Sequence, residues 1–210
     1  MKRKISILIP LLVLLSAAVY AGTNAYVIGV AGVVGEEPLD CGDATLWIDK
    51  AATSDYWTIA GGSTQALIGQ GDFIPGADKT ICSIDAQFRA ATGSANYVCE
   101  IRTFVSGDDL NSDYICQSDA VAIASGISDP TTKTFTFSGG CEVSAATNYA
   151  IIFARSDYGT STNTATIYVS STSNDLAGTL MRWWGAGDFT LGGDEGPSDM
   201  GIKINAYDTP

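Results

Sequence analysis

The chain has 210 residues, eleven basic and twenty-three acidic, with no histidine and a formal net charge of −12. Without histidine there is no Ser-His-Asp or Cys-His catalysis, no His-ligated zinc and no imidazole proton shuttle. The acidic balance argues against nucleic acid and anionic lipid surfaces, which require clustered Lys and Arg.

In chain order, Lys2, Arg3 and Lys4 precede an almost unbroken apolar run from Ile5 to Val19. Val19-Tyr20-Ala21 follows as a cleavage signal, with Thr23-Asn24-Ala25 as a second candidate. This is the layout of a secretory signal peptide over residues 1–21, too short and wrongly flanked for a membrane span. The expected product is secreted, extracellular or at a cell surface, and its mature chain does not insert in a membrane. It keeps eight basic residues against twenty-three acids, a net charge of −15.

Residues 22–43 read as an extra strand or a tether. Tyr26 to Gly35 is uncharged and β-prone, and Glu36-Glu37-Pro38 interrupts it. The alternative is a donor strand that completes a neighbouring subunit.

From residue 44 onward the dominant period is two. Ala44-Leu46-Ile48, Cys82-Ile84-Ala86-Phe88, Cys99-Ile101-Val105, Phe135-Phe137, Tyr149-Ile151-Phe153, Ala165-Ile167-Val169 and Ile202-Ile204-Ala206 alternate with polar partners. Such runs are half-buried strands, and Gly, Asp, Asn and Ser fill the gaps between them. Nine or so strands at this spacing predict an all-β, antiparallel two-sheet sandwich over residues 44–210.

Five cysteines in an exported chain predict disulfides, and none has CxxC spacing. Cys99 and Cys116 are symmetric about Ser106-Gly107-Asp108-Asp109, so a long hairpin turning there would bring them face to face. Cys82–Cys141 then follows by elimination, and Cys41 is left as an odd thiol or an intermolecular link.

Trp183-Trp184 ends the run Thr179-Leu180-Met181-Arg182 and precedes a glycine-rich stretch from Gly185 to Gly196. Adjacent strand residues point to opposite faces, so one indole fills the core and the other is exposed or covered by the loop. An exposed indole is a platform for the apolar face of a sugar ring. Trp47 and the pair Tyr56-Trp57 raise the same question, and Trp183, Trp184, Trp47 and Trp57 are the candidate ligand contacts. Packing is the competing role for each.

Asp109, Asn111 and Asp113 have the alternating oxygens of the first half of a calcium loop. Tyr114 stands where such a loop needs glycine and Ala120 where it needs glutamate, so this is no EF-hand. Ca²⁺ is the one cofactor these acids suggest, and a polar turn explains them equally well. Asp188, Asp194, Glu195 and Asp199 form a second acidic group of the same kind. Glu36, Glu37, Glu100, Glu142 and Glu195 form no ExDxxE strand, and Glu100 is placed to pair with Arg102 on one strand face. Sandwich polysaccharide lyases usually carry a Gln-hydrophobic-His strand, which this chain lacks. No enzymatic activity is expected.

From Gln65 to Tyr207 the chain resembles the bacterial jelly-roll modules described as choice-of-anchor or carbohydrate-binding-like domains. Gly69-Gln70-Gly71-Asp72-Phe73-Ile74-Pro75 is similar to their opening strand. Ile81 to Phe88 and Tyr97 to Val105 resemble the next two. Thr134-Phe135-Thr136-Phe137, then Cys141 to Tyr149, resembles their strand and corner, with Ala146 in place of the usual corner glycine. Asp199 to Ile204 is similar to the closing strand. The resemblance implies a jelly-roll sandwich and supports the fold more than a function. Two functions are expected from the whole reading. One is recognition of extracellular carbohydrate or cell-surface glycan. The other is a structural or adhesive subunit of a surface layer, filament or virion, self-associating through residues 26–35 and Cys41.

Overall fold

A computed structural model describes residues 40–50, 55–59, 66–105, 109–157, 163–170, 179–184, 190–194 and 199–209. The expected signal peptide and residues 22–39 of the tether lie outside them. The strands are β1 (Thr45–Asp49), β2 (Asp55–Ile59), β3 (Ala66–Phe73), β4 (Lys79–Thr92), β5 (Ala95–Val105), β6 (Asp109–Gln117) and β7 (Val121–Ile123). They continue with β8 (Thr131–Val143), β9 (Tyr149–Arg155), β10 (Thr164–Ser170), β11 (Thr179–Trp184), β12 (Thr190–Asp194), β13 (Asp199–Met200) and β14 (Ile202–Asp208). Every described pairing is antiparallel, in two sheets.

In sheet A the long β4 pairs β8 along one edge. Along the other edge it pairs β14 through residues 79–86, then β10 through residues 88–92. β1 lies beyond β14 and β2 beyond β10, so these two short strands form an interrupted outer edge. Sheet B runs β12-β11-β3-β9-β5-β6, with β7 also on β5. The strands β3, β4 and β5 alternate between the sheets, as do β8, β9, β10 and β11. The two runs pair as β4·β8, β5·β9, β3·β9, β4·β10 and β3·β11. A double ribbon thus wraps across both sheets, which is the jelly-roll way of closing a sandwich.

Alternation explains which side chains meet between the sheets. Ile84, Ala86 and Phe88 of β4, Phe135 and Phe137 of β8, and Ile202 and Ile204 of β14 face Tyr97, Cys99 and Ile101 of β5 and Ile151 and Phe153 of β9. The Phe135 ring lies 5.1 Å from that of Phe153, edge to face, and joins the sheets at the centre. Gln70, fully buried on β3, accepts a hydrogen bond from the Met200 backbone N–H, so this inward polar group is satisfied. A second apolar cluster, Leu67, Val98, Phe104, Ala150, Ile152 and Ala154, is built from the alternate positions of β3, β5 and β9. At the β8–β9 corner the Tyr149 hydroxyl accepts a hydrogen bond from the Ser144 N–H, which ties the turn to the strand after it.

The disulfides differ from those expected. Cys41 bonds Cys82 and Cys116 bonds Cys141, while Cys99 is free and buried. The β5–β6 hairpin does turn where anticipated, with Val105 opposite Asp109, but two register shifts follow. They place extra residues on β6 and carry Cys116 opposite Ile101. Cys99 meets Ser118 instead, whose backbone N–H donates to the Cys99 carbonyl and whose hydroxyl accepts from the Cys99 N–H. Cys116 is then free to reach from sheet B to Cys141 on β8 of sheet A, with Cα atoms 5.8 Å apart. Cys41 lies in a turn before β1, fixed by Gly42 N–H donating to Asp40, and clamps that turn to β4.

Candidate ligand-binding face

The outward positions of sheet A carry the most organised exposed side chains among the described residues. Trp57 pairs in register with Ile167, which faces the core, so its indole packs inward and Tyr56 points out. Tyr56 is 48 % exposed and stands opposite Tyr168 of β10. On the next strand the ladder skips a residue, with Thr166 opposite Ala90 and Ile167 opposite Phe88. Arg89 is the extra residue of that bulge, and bulges re-aim side chains. Its guanidinium carbon lies 3.9 Å from the centre of the Tyr56 ring. Asp129, just before β8, closes the row. It accepts a short hydrogen bond from the Tyr168 hydroxyl, and its carboxylate is 3.5 Å from Arg89 Nε.

Tyr56, Tyr168, Arg89 and Asp129 therefore form one row across β2, β10, β4 and the start of β8. The hydrogen bond to Tyr56, with the nearby Asp129 charge, raises the Arg89 pKa above its ordinary value. Donation to Asp129 likewise raises that of Tyr168, so both protons stay in place. Beside this row lie cross-strand polar pairs: Thr58 with Thr166 at 3.4 Å, Thr134 donating to Asp85 at 2.6 Å, and Asn205 donating to Ser83 at 3.1 Å. Lys203 of this face pairs with Asp49 at 3.0 Å. The row can offer an apolar ring and fixed hydroxyl and carboxylate acceptors to a ligand.

Of the four tryptophans named from sequence, two pack inward and two have side chains outside the described residues. Trp47 is the bulged residue between Leu46 and Ile48; it turns inward onto Phe73, 5.9 Å away edge to face, with Lys79 over its ring. Trp57 also packs on the core. Both serve packing, and Leu46 and Tyr56 are the exposed neighbours. Trp183 and Trp184 fall in β11, paired with Leu67 and Ala66 of β3 and with Leu191 and Thr190 of β12. Their side chains lie outside the described residues.

The expected calcium loop is not a loop. Asp109, Asn111 and Asp113 lie along β6. The ladder is irregular there, with Tyr114 opposite Arg102 and Leu110 opposite Phe104, and the side chains of Asp109 and Asn111 lie outside the described residues. Asp194 and Asp199 fall in β12 and β13, and Asp188 and Glu195 lie outside the described residues. Among the described residues no group of three acids or cysteines is close enough to hold a metal ion.

Glu100 does pair with Arg102. Arg102 donates through Nε at 2.9 Å and through a terminal nitrogen at 2.6 Å, and Gln117 donates at 2.8 Å to the other oxygen. Both charged groups are buried, so this carboxylate is fully engaged in a closed polar network. A separate open cleft of about 410 Å³ lies beside the Cys41 turn, lined by Asp40, Cys41, Gly42, Gly139 and Tyr207.

The sequence signal for the row was the phase of alternation. Tyr56 and Tyr168 are each one step out of phase with core residues, Trp57 and Ile167. Arg89 carries the same signal, one step out of phase with the core residue Phe88. No protein-family profile matches this chain, and no curated protein matches it in sequence.

Proposed function

We propose that this chain is an exported, non-catalytic recognition module that binds extracellular carbohydrate on the outer face of sheet A. The observation that carries the reading is the exposed Tyr56 ring, held in place by Arg89 at 3.9 Å and flanked by the Tyr168–Asp129 pair. A preordered aromatic ring beside fixed oxygen acceptors costs little entropy to engage a sugar's apolar face and its hydroxyls. The resemblance to carbohydrate-binding-like jelly-roll modules supports the same reading. Two disulfides fit an oxidising compartment, in keeping with export. The absence of histidine and the engagement of Glu100 by Arg102 and Gln117 support a non-catalytic role. A structural-subunit reading loses the odd thiol on which it drew, since Cys41 bonds Cys82.

The test is affinity electrophoresis of the secreted protein through gels containing polysaccharides, with Tyr56→Ala alongside. Retardation that Tyr56→Ala abolishes without loss of fold is the expected result. No retardation on any polysaccharide would overturn the proposal.

A further inference from the structure

We infer that the ligand of this face is a neutral oligosaccharide that lies across the strands, from Tyr56 on β2 to Thr134 on β8; this rests on the carbohydrate reading above. Charge selects against an acidic ligand. Two outward cations are already matched, Arg89 with Asp129 at 3.5 Å and Lys203 with Asp49 at 3.0 Å. Asp85 adds a further carboxylate, which accepts from Thr134. A uronate or sulfate would have to displace Asp129 from Arg89 and approach a chain of net charge −12. A neutral polyol meets neither penalty, and the carboxylates become acceptors for its hydroxyls.

Length follows from the sheet. The route from β2 through β10 and β4 to β8 runs diagonally: it crosses three strand spacings, about 14 Å, and steps two residues along β8, from Thr132 at the level of Tyr168 to Thr134. That exceeds a single sugar ring. Polar groups continue along it: the Tyr168–Asp129 pair follows Tyr56, and the Asp85–Thr134 pair closes the far side. Each added ring therefore gains contacts until the chain reaches β8.

The experiment is calorimetric titration of the secreted protein with neutral oligosaccharides of increasing length, from glucan, xylan and mannan series. Polygalacturonate and alginate serve as acidic counterparts, each at low and high NaCl. Expected is binding to a neutral series that strengthens about tenfold or more from the single sugar to the longest oligomer. Raising the salt should leave it unchanged. Thr134→Ala, at an exposed position, should weaken the longest oligomer while leaving the shorter ones unaffected. Binding only to the acidic polymers, lost as salt rises, would overturn the neutral assignment while leaving sugar recognition intact. Equal affinity for single sugar and oligomer would overturn the cross-strand path. Binding to no sugar at all would overturn the parent reading, and this one with it.

Discussion

Arg89 and Tyr56 sit two strands apart in sheet A, yet the guanidinium carbon of one lies 3.9 Å from the ring centre of the other. Arg89 lies on the outer face because it is one step past the inward Phe88, at the point where β4 gains one residue against β10. It covers one side of the tyrosine and leaves the residue 48 % exposed. A rigid, half-open ring beside Asp129 separates a prepared surface from an incidental exposed aromatic.

Tyr56 and Trp57 should respond to substitution in opposite ways. Trp57→Ala removes an indole packed on the core and should cost about 3 kcal/mol of stability. Tyr56→Ala should change stability by less than about 1 kcal/mol while losing ligand. Urea denaturation of both variants checks this, and a large loss of stability in Tyr56→Ala would contradict the assigned faces.

The buried Glu100–Arg102 pair predicts a marked asymmetry. Glu100→Ala removes the carboxylate from a cation that is 2 % exposed and should cost about 3–5 kcal/mol. Replacing both residues together by Met and Leu should cost much less, since neither charge is left alone. A thermodynamic cycle from urea midpoints measures the difference, and additive losses would refute the coupling.

Peptide mapping under non-reducing conditions should recover Cys41 linked to Cys82 and Cys116 linked to Cys141. Burial pushes the Cys99 thiol well above its ordinary value, so it should resist alkylation in the native protein and react on unfolding. Breaking either bridge with serine should cost about 3.5–4 kcal/mol, given loops of 25 and 41 residues. A Cys99–Cys116 peptide would contradict the β5–β6 register.

How far the sequence could be read depended on phase and register. β4, β10 and β14 were legible because one face of each is buried, so apolar residues mark every second position, while β9 is buried on both faces and is a near-continuous apolar run. The Glu100–Arg102 pairing was legible too, being local to one strand. The cysteine pairing was not: it depends on two shifts between β5 and β6, and no single-strand pattern records those. Trp47 misled for the same reason, since a bulge against β14 turns it inward. The Asp109-Asn111-Asp113 spacing fits a polar loop or an alternating strand equally well, and pairing with β5 decided it.

The hydroxyl of Tyr168 should titrate late. Its hydrogen bond to Asp129 raises its pKa from the ordinary 10.0, so the folded state favours the protonated phenol. The stability this gives is complete below pH 10.0 and is lost as pH climbs through the raised folded-state value. Residue-resolved NMR titration should show Tyr168 losing its proton after an ordinary tyrosine, and Asp129→Asn should bring it back down. Titration at the ordinary value in the unmodified protein would refute the bond.

The most direct measurement is backbone amide shift mapping of the labelled protein during titration with the oligosaccharide it binds most tightly. Perturbations centred on Tyr56, Arg89, Asp129 and Tyr168 are the predicted result. Perturbations confined to Trp183, Trp184 and β12, with the outer face of sheet A silent, would contradict the account and move the sugar to the far sheet.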